Sequence, residues 1–181
     1  IKQGEFNDNS KLKELISDQT AAVIVEPVQG EAGVYEASKD FMAELREMTQ
    51  KKGVLLIVDE VQSGVGRMGV IYGYMNYDIE PDIVTSAKGL GGGIPIGATL
   101  TTKNIGECMQ PGTHGSTFGG NPIACAVANE VIRIVSDSNF LKNVLEKEKL
   151  FIEHLSELKT KGIFSDIRSS GLWIGCDLSL I

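Results

Sequence analysis

Two short apolar runs constrain the fold of this chain most strongly, because each is followed by a polar residue suited to a binding site. The run 54–58 is followed by Asp59, and the run 83–86 is followed, after one alanine, by Lys88 and a glycine-rich stretch. Short apolar runs rich in β-branched residues predict buried strands. Ligands of open α/β sheets bind outside the carboxyl ends of the strands. We therefore expect Asp59 and Lys88 to meet at one edge of such a sheet.

Strand and helix patterns alternate along the first part of the chain, which predicts a mostly parallel sheet flanked by helices. The predicted strands are 21–25, 54–58, 83–86, 98–102, 163–167 and 172–178, and the predicted helices are 9–18, 38–52, 123–136 and 139–161. We assign residues 1–162 to a large domain and residues 163–181 to the beginning of a smaller one. We expect Trp173 and the Phe and Leu positions of the two late helices to lie in the core.

Composition excludes several classes of function. The net charge of -7 and the lack of a basic patch disfavour nucleic-acid binding. No stretch reaches membrane-spanning length, so we expect no membrane segment. The three cysteines are odd in number and far apart, which is typical of reduced thiols in a cytoplasmic protein. The chain has no initiator Met and stops within a predicted strand, so we expect it to be part of a longer protein.

A lysine and a carboxylate at one sheet edge suit pyridoxal phosphate. This coenzyme requires an amine that bonds to its aldehyde and a carboxylate that keeps its ring nitrogen protonated. Lys88 and Asp59 are the candidates, and Gln62, just beyond the second strand, can hydrogen-bond a ring hydroxyl. Thr117 lies in a segment that places hydroxyls and backbone N–H groups ahead of a helix, which suits a phosphate. Glu26 is a third polar residue at a strand end.

Each of these residues also has a simpler interpretation. Taken singly, Glu26, Asp59 or Lys88 is better explained as the start of a solvated loop, whereas the three together favour a site. Asp59 and Glu60 resemble a metal or acid–base pair, but neighbouring residues on a strand point to opposite faces, and we expect no metal site.

Two glycine patterns and one histidine are also better explained without a binding or catalytic role of the kind their pattern indicates. The glycines at 64, 66 and 69 match a dinucleotide pattern without a convincing helix after them, so a tight turn is the better interpretation. The glycines at 91–93 follow the lysine instead of preceding it, which excludes a P-loop. By itself, His114 is better explained as a structural residue than as a catalytic one.

Four segments, in their order along the chain, resemble sequence motifs of one known family. They read EPVQGE at 26–31, DEVQSG at 59–64, PDIVTSAK at 81–88 and HGSTFGGNP at 114–122. These segments resemble class III pyridoxal-phosphate-dependent aminotransferases, the fold-type-I group that contains the ornithine and acetylornithine enzymes. The resemblance implies a fold-type-I large domain, followed by the start of a small α+β C-terminal domain.

The same resemblance implies a role for each candidate residue. Lys88 is implied to bind the coenzyme covalently, Asp59 to pair with its ring nitrogen, and Gln62 to contact its ring hydroxyl. Thr117 is implied to bind the phosphate held by a neighbouring subunit, which predicts a homodimer with shared sites. Glu26 is implied to pair with a substrate-binding arginine.

The stretch LGGGIPIGA at 90–98 is most similar to acetylornithine aminotransferases. The implied reaction is amino-group transfer from N-acetylornithine to 2-oxoglutarate, in arginine biosynthesis. Ornithine, succinylornithine and 4-aminobutyrate remain alternative donors, because Ala32, Met68 and the pair Ser169–Ser170 depart from the family pattern. The family's Gly-Thr phosphate loop, stacking aromatic residue and carboxylate-binding arginine are not in this sequence, so an inactive fragment is the non-enzyme alternative.

Overall fold

The computed structural model describes residues 1–179 and shows a sheet flanked by helices. The strands are β1 (Ala22–Val25), β2 (Val28–Gln29), β3 (Tyr35–Glu36), β4 (Leu55–Asp59), β5 (Ile83–Ser86), β6 (Ala98–Thr101), β7 (Phe164–Ser169) and β8 (Ile174–Leu178). The helices are α1 (Leu12–Leu15), α2 (Lys39–Lys52), α3 (Lys103–Gly106), α4 (Pro122–Val135) and α5 (Ser138–Thr160). Short 3₁₀ turns span Gly73–Asn76 and Lys88–Gly91.

The central sheet confirms the predicted fold class. Its four strands lie in the order β1-β4-β5-β6. The pairs β1–β4 and β4–β5 are parallel, and β5–β6 is antiparallel. The predicted strands 54–58 and 83–86 are therefore neighbours, and both carboxyl ends lie at the same edge.

Helix α2 covers one face of this sheet. Its start is fixed by the Ser38 side chain, which accepts a hydrogen bond from the backbone N–H of Phe41, and its end by Gly53 in the left-handed conformation. Its apolar side packs with Leu56 and Val58 of β4, both fully buried, in the main core cluster. Burial of each large apolar side chain contributes about 1.5–3 kcal/mol, so this packing holds the sheet edge that carries Asp59.

Asp82 fixes the start of β5. Its carboxylate accepts hydrogen bonds from Arg46 of α2 at 2.7 Å and from the backbone N–H of Leu56 at 2.8 Å. Partial burial raises the pKa of Asp82, but the bonds from Arg46 and Leu56 outweigh it and hold this pKa below its usual value. The side chain thus joins α2, β4 and β5 at one point.

Several predicted elements differ from the structure. The predicted helix 9–18 is reduced to the single turn α1, in which no side chain caps the N-terminus. Two-residue strands β2 and β3 pair antiparallel within residues 28–37, a glycine-bearing stretch whose sequence predicts a loop. They were missed because so short a strand has no detectable periodicity.

The prediction that the Phe and Leu positions of the late helices are core residues is wrong for most of α5. Phe140, Leu145, Leu150 and Phe151 are 39–54% exposed, and only Val144 is buried on this helix. The reason is geometric: α5 spans 23 residues but packs mainly on β7 and, less extensively, on α4. Much of its apolar surface is therefore left uncovered within residues 1–179.

The hairpin β7–β8 forms its own two-stranded sheet. Trp173, which lies in the turn between these two strands, is only partly buried, although it packs on the cluster formed by Val28, Val34 and Met68. The domain division at 162/163 stays a prediction, and residues 180 and 181 of the predicted second domain lie outside the described residues. No helix within residues 1–179 is long and apolar enough to cross a membrane.

Candidate functional site

Asp59 is held rigidly at the end of β4. Its Cα lies opposite that of Thr85 in the parallel pair β4–β5. One carboxylate oxygen, Oδ1, accepts hydrogen bonds from the Thr85 hydroxyl and from the backbone N–H of Val61, each at 3.0 Å. Since both partners bind Oδ1, no protein donor within the described residues is recorded for Oδ2. The arrangement fixes the direction of the carboxylate and leaves an oxygen for a ligand.

Lys88 occupies a strained backbone conformation three residues beyond Thr85. Its φ of 46° lies in the left-handed region, which a non-glycine residue adopts at a cost of about 1–3 kcal/mol. Its side chain is exposed, while Leu90 in the same 3₁₀ turn is buried. Helix α4 packs closely on this turn: a Cβ at Gly92 would lie 3.1 Å from Val131. The packing holds Lys88 in place, so its amine is presented from a fixed point.

An open cavity of about 470 Å³ brings Lys88 together with Gln62. This Lys88 cavity is lined by Glu31, Gln62, Gly64, Val65, Gly66, Arg67, Lys88, Gly89, Phe140, Val144, Leu172 and Trp173. Gln62 donates a hydrogen bond from Nε2 to the carboxylate of Glu31 at 3.1 Å. An amine, an amide and a carboxylate therefore converge beside an aromatic wall, which is the usual composition of a small-molecule site.

The charges of Asp59 and Lys88 both act on the pKa of Glu26. Partial burial raises the pKa of Glu26, and the negative charge of Asp59 raises it further. The backbone N–H of Gly30 and the positive charge of Lys88 act in the opposite direction without cancelling the rise. Glu26 thus responds to the charges of the other two strand-end residues, although Glu26 and Asp59 are not among the residues that line the Lys88 cavity.

Glu60 points away from Asp59, as expected for neighbouring residues at a strand end. It is fully buried and accepts hydrogen bonds from the Ser63 hydroxyl at 2.6 Å and from the backbone N–H groups of Gly73 and Tyr74 at 2.9 and 2.7 Å. Burial raises the pKa of Glu60 despite these three donors. The carboxylate therefore fastens the loop after β4 and takes no part in a shared site with Asp59.

Thr117 lies apart from this group. It is exposed in the loop before α4, and it does not line the Lys88 cavity. Asn121 ends that loop, and its side chain accepts hydrogen bonds from the backbone N–H groups of Ile123 and Ala124. The role of Thr117 stays a prediction, as does that of His114, which is also exposed.

The glycine pattern at 64, 66 and 69 forms turns and not the start of a helix. Gly66 and Gly69 both have positive φ, and Val65 between the first two glycines does as well. The next element with helical character is the short 3₁₀ turn at Gly73–Asn76. The segment therefore provides no helix N-terminus for a dinucleotide pyrophosphate.

Of the lining residues, only Gln62 and Lys88 were predicted, and those missed include Glu31, Arg67 and Trp173. Glu31 and Arg67 belong to motifs visible in the sequence, but their positions in the cavity depend on contacts with distant segments. Arg67 Nη1 donates to the backbone oxygen of Leu172 at 3.0 Å, and the Leu172 N–H donates to the backbone oxygen of Arg67 at 3.0 Å. Single-sequence periodicity carries no signal for such a pairing.

Comparison with known proteins gives one consistent result. The family described as class III aminotransferases matches residues 3–180. Succinylornithine transaminase of Yersinia pseudotuberculosis is 49% identical over 180 residues, which cover 99% of this chain and 44% of that protein. The chain thus spans less than half the length of this curated relative.

Solved structures share the fold. N-acetylornithine aminotransferase from Stenotrophomonas maltophilia superimposes with a TM-score of 0.87 and 37% identity, over 97% of this chain and 46% of that one. Ornithine aminotransferase from Toxoplasma gondii, described with partial occupancy of pyridoxal phosphate at its active site, gives a TM-score of 0.90 and 35% identity. That match covers 97% of this chain and 42% of the other.

Proposed function

We propose, from the premise that this chain belongs to the class III aminotransferase family, that it carries the coenzyme-binding centre of an amino-group transfer enzyme. One observation carries the proposal: Asp59, at the end of β4, lies opposite Thr85 of the neighbouring parallel strand, three residues before Lys88, which is exposed and lines a cavity with Gln62. The pair matches what pyridoxal phosphate requires of a protein.

The residues present fit this coenzyme. The Lys88 cavity, at about 470 Å³, lies within the usual range for small-molecule sites of roughly 300–1,000 Å³. Lys88 would hold the coenzyme covalently, Asp59 would hold its ring nitrogen, and Gln62 its ring hydroxyl. Thr117 would hold the phosphate of a partner subunit's coenzyme. When bound, the coenzyme would supply an electron sink for the deprotonated Cα of the substrate and would carry the amino group from one substrate to the other.

The protein's own part is positioning and proton transfer. Lys88, once released from the coenzyme, is the base that moves a proton from the Cα of the donor. Asp59 keeps the ring nitrogen protonated, and the bonds from Thr85 and Val61 hold its carboxylate in one direction during that step. Preorganised charge of this kind does not have to reorient during the reaction.

Glu26 is proposed to pair with a cationic group. Partial burial and the negative charge of Asp59 raise the pKa of its carboxyl, so a further cation beside it would stabilise the ionised form. A substrate-binding arginine meets this requirement, and release of Glu26 from such a pair would admit a second substrate carboxylate.

The proposed donor is N-acetylornithine, with 2-oxoglutarate as acceptor. A relative named N-acetylornithine aminotransferase supports it at 37% identity. Succinylornithine is the second candidate, because a curated relative at 49% identity bears that name. The proposal also includes a homodimer with shared sites and a cytoplasmic location. The latter is supported by three cysteines that form no disulfide within the described residues.

The test is a donor panel with a purified full-length protein that contains this chain. N-acetylornithine, succinylornithine, ornithine and 4-aminobutyrate are each supplied with 2-oxoglutarate and excess coenzyme, and glutamate is measured. We expect glutamate formation with an acylated ornithine and none in the Lys88→Ala variant. Equal rates for wild type and Lys88→Ala would refute the assignment of Lys88, and a preference for 4-aminobutyrate would refute the proposed donor.

A further inference from the structure

The indole of Trp173 forms a wall of the Lys88 cavity although it comes from the distant β7–β8 hairpin. It lines the cavity together with Gln62 and Lys88, and its other side packs on the cluster of Val28, Val34 and Met68. The side chain is only partly buried, so part of the ring faces the cavity.

Gly30 shows how closely the indole approaches the site. A Cβ built at Gly30 would lie 2.1 Å from Cζ2 of Trp173 and 2.3 Å from Oε1 of Gln62. The indole and the Gln62 amide therefore lie side by side over the Gly30 backbone, where any larger residue would displace them. The Oε1 end of the Gln62 amide thus shares the space over Gly30 with the indole, while its Nε2 donates to the carboxylate of Glu31.

Two arginines fasten the hairpin that carries Trp173. Arg168 donates from Nε to the backbone oxygen of Gly33 at 2.8 Å, and its guanidinium lies 4.4 Å above the ring of Tyr35. It also binds Asp177 on the other strand of the hairpin through two hydrogen bonds of 2.8 Å. Arg67 pairs with the backbone of Leu172, the residue before the tryptophan. The hairpin that carries Trp173 is therefore bound both to the loop that contains Gly30 and Gly33 and to the loop that contains Arg67.

The approach of the hairpin is close at its backbone as well. A Cβ at Gly171 would lie 2.4 Å from the backbone oxygen of Arg67, and a Cβ at Gly175 would lie 2.6 Å from the backbone oxygen of Gly33. Glycines on both sides of Trp173 thus allow the hairpin to dock directly on the two loops that line the cavity.

We propose that Trp173 is a positioning residue that sets the orientation of the Gln62 amide in the Lys88 cavity. The inference rests on the proposed function, in which Gln62 contacts the coenzyme. Without the indole, the Gln62 side chain gains rotational freedom, and its hydrogen bond to a bound coenzyme is weakened. The β7–β8 hairpin thereby acts on the chemistry at Lys88 through one side chain.

The first test measures coenzyme binding by absorbance titration in Trp173→Ala, Trp173→Phe and wild type. We expect Trp173→Ala to raise the coenzyme Kd about tenfold, the loss that accompanies one misplaced hydrogen bond, and to shift the absorbance band of the bound coenzyme. Trp173→Phe should restore most of the affinity, because a ring again confines the amide. Phe151→Ala is the matched control, since Phe151 is exposed on α5 and does not line the cavity.

Fluorescence supplies a readout independent of activity. Trp173 is the only tryptophan in this sequence, so the emission lost in Trp173→Phe reports on this one position. We expect coenzyme to quench that component strongly, because the indole lines the cavity that holds Lys88. A component that coenzyme does not quench would show that the ring lies away from the coenzyme and would overturn the proposal.

The second test is a double-mutant cycle between Gly30 and Trp173. Gly30→Ala is expected to raise the coenzyme Kd, because its methyl group displaces the indole and Gln62. In Trp173→Ala the methyl group enters the space vacated by the indole, so the two effects should be clearly less than additive.

Additive effects, or wild-type Kd and band position in Trp173→Ala, would overturn the positioning role while leaving the proposed function intact. A lowered melting temperature with unchanged Kd would also overturn it, since that result shows a purely structural residue. If wild type shows no coenzyme band that depends on Lys88, the proposed function fails, and the role of Trp173 fails with it.

Discussion

Replacing Glu60 tests how a buried carboxylate holds the loop beside the candidate site. Glu60→Leu removes the acceptor of the backbone N–H groups of Gly73 and Tyr74 and of the Ser63 hydroxyl. Each buried donor left without a partner costs about 1–3 kcal/mol, so the two backbone groups alone cost about 2–6 kcal/mol of the free energy of unfolding. Glu60→Gln keeps one acceptor oxygen and should cost about 1–3 kcal/mol.

The pH dependence of stability provides a second measurement. Burial raises the folded-state pKa of Glu60 above its ordinary value of 4.5, so the folded protein binds the proton more tightly than the unfolded chain. The stability that protonated Glu60 contributes is fully present below its ordinary pKa of 4.5 and is lost as the pH rises through the higher folded-state pKa. Glu60→Gln cannot titrate at this position and should lack that component of the pH dependence.

The assay combines thermal unfolding with amide hydrogen exchange at Gly73 and Tyr74. Both amides should exchange faster in Glu60→Leu than in wild type, and Glu60→Gln should be intermediate. Glu80→Gln is the matched control, because Glu80 is exposed, and it should change stability by less than about 0.5 kcal/mol. Unchanged exchange at Gly73 and Tyr74 in Glu60→Leu would show that the loop is held by other contacts.

Further predictions concern the coenzyme site. Lys88→Ala should abolish covalent attachment of the coenzyme and nearly all turnover, measured by absorbance and glutamate formation; retained attachment would refute the choice of lysine. Asp59→Ala should reduce turnover far more than the melting temperature, since a charge-assisted bond of about 1.5–3 kcal/mol to the coenzyme is lost; the reverse pattern would make Asp59 structural. Mixing Lys88→Ala subunits with Thr117→Ala subunits should restore part of the activity, and no recovery despite proven heterodimers would contradict a shared site. The 181-residue chain by itself should be inactive with acetylornithine and 2-oxoglutarate, because the family's phosphate loop, stacking aromatic residue and carboxylate-binding arginine are not in this sequence. Without them the substrate is misplaced, and misplacement by about 1 Å already costs roughly a hundredfold in rate; turnover like that of a longer relative would refute this.

Sequence reasoning located those elements that carry local signals. Helix α2 was predicted to within a residue, because Ser38 caps it and Gly53 ends it. The strands β4 and β5 were found because they are compact apolar runs between loops. The predicted helix 9–18 failed because its periodicity was real but its ends had no side-chain cap, and only one turn formed.

For the site, the strand ends were predictable and the cavity walls were not. The edge rule for parallel sheets predicted that Asp59 and Lys88 meet; the register places Asp59 opposite Thr85, three residues before Lys88, and the meeting itself stays a prediction. The left-handed backbone of Lys88 was not foreseen, because the residue type disfavours it and the packing of α4 on this turn is a contact between distant segments. Trp173 was assigned to the core, since nothing local indicates that its hairpin docks over Gly30.

The anchoring of Asp82 has a consequence for how this protein tolerates change in length. Side chains alternate between the two faces of a sheet, so a slip of one residue between β4 and β5 would turn Thr85 away from Asp59 and reverse the face of every residue in the strand. Asp82 sets the starting point of β5 by its bonds to Arg46 and to the N–H of Leu56. We therefore expect residues inserted near the exposed Asp78 to leave the register of β5 unchanged. Residues inserted between Asp82 and Lys88 would shift the lysine itself, so we expect added length to be tolerated only before Asp82.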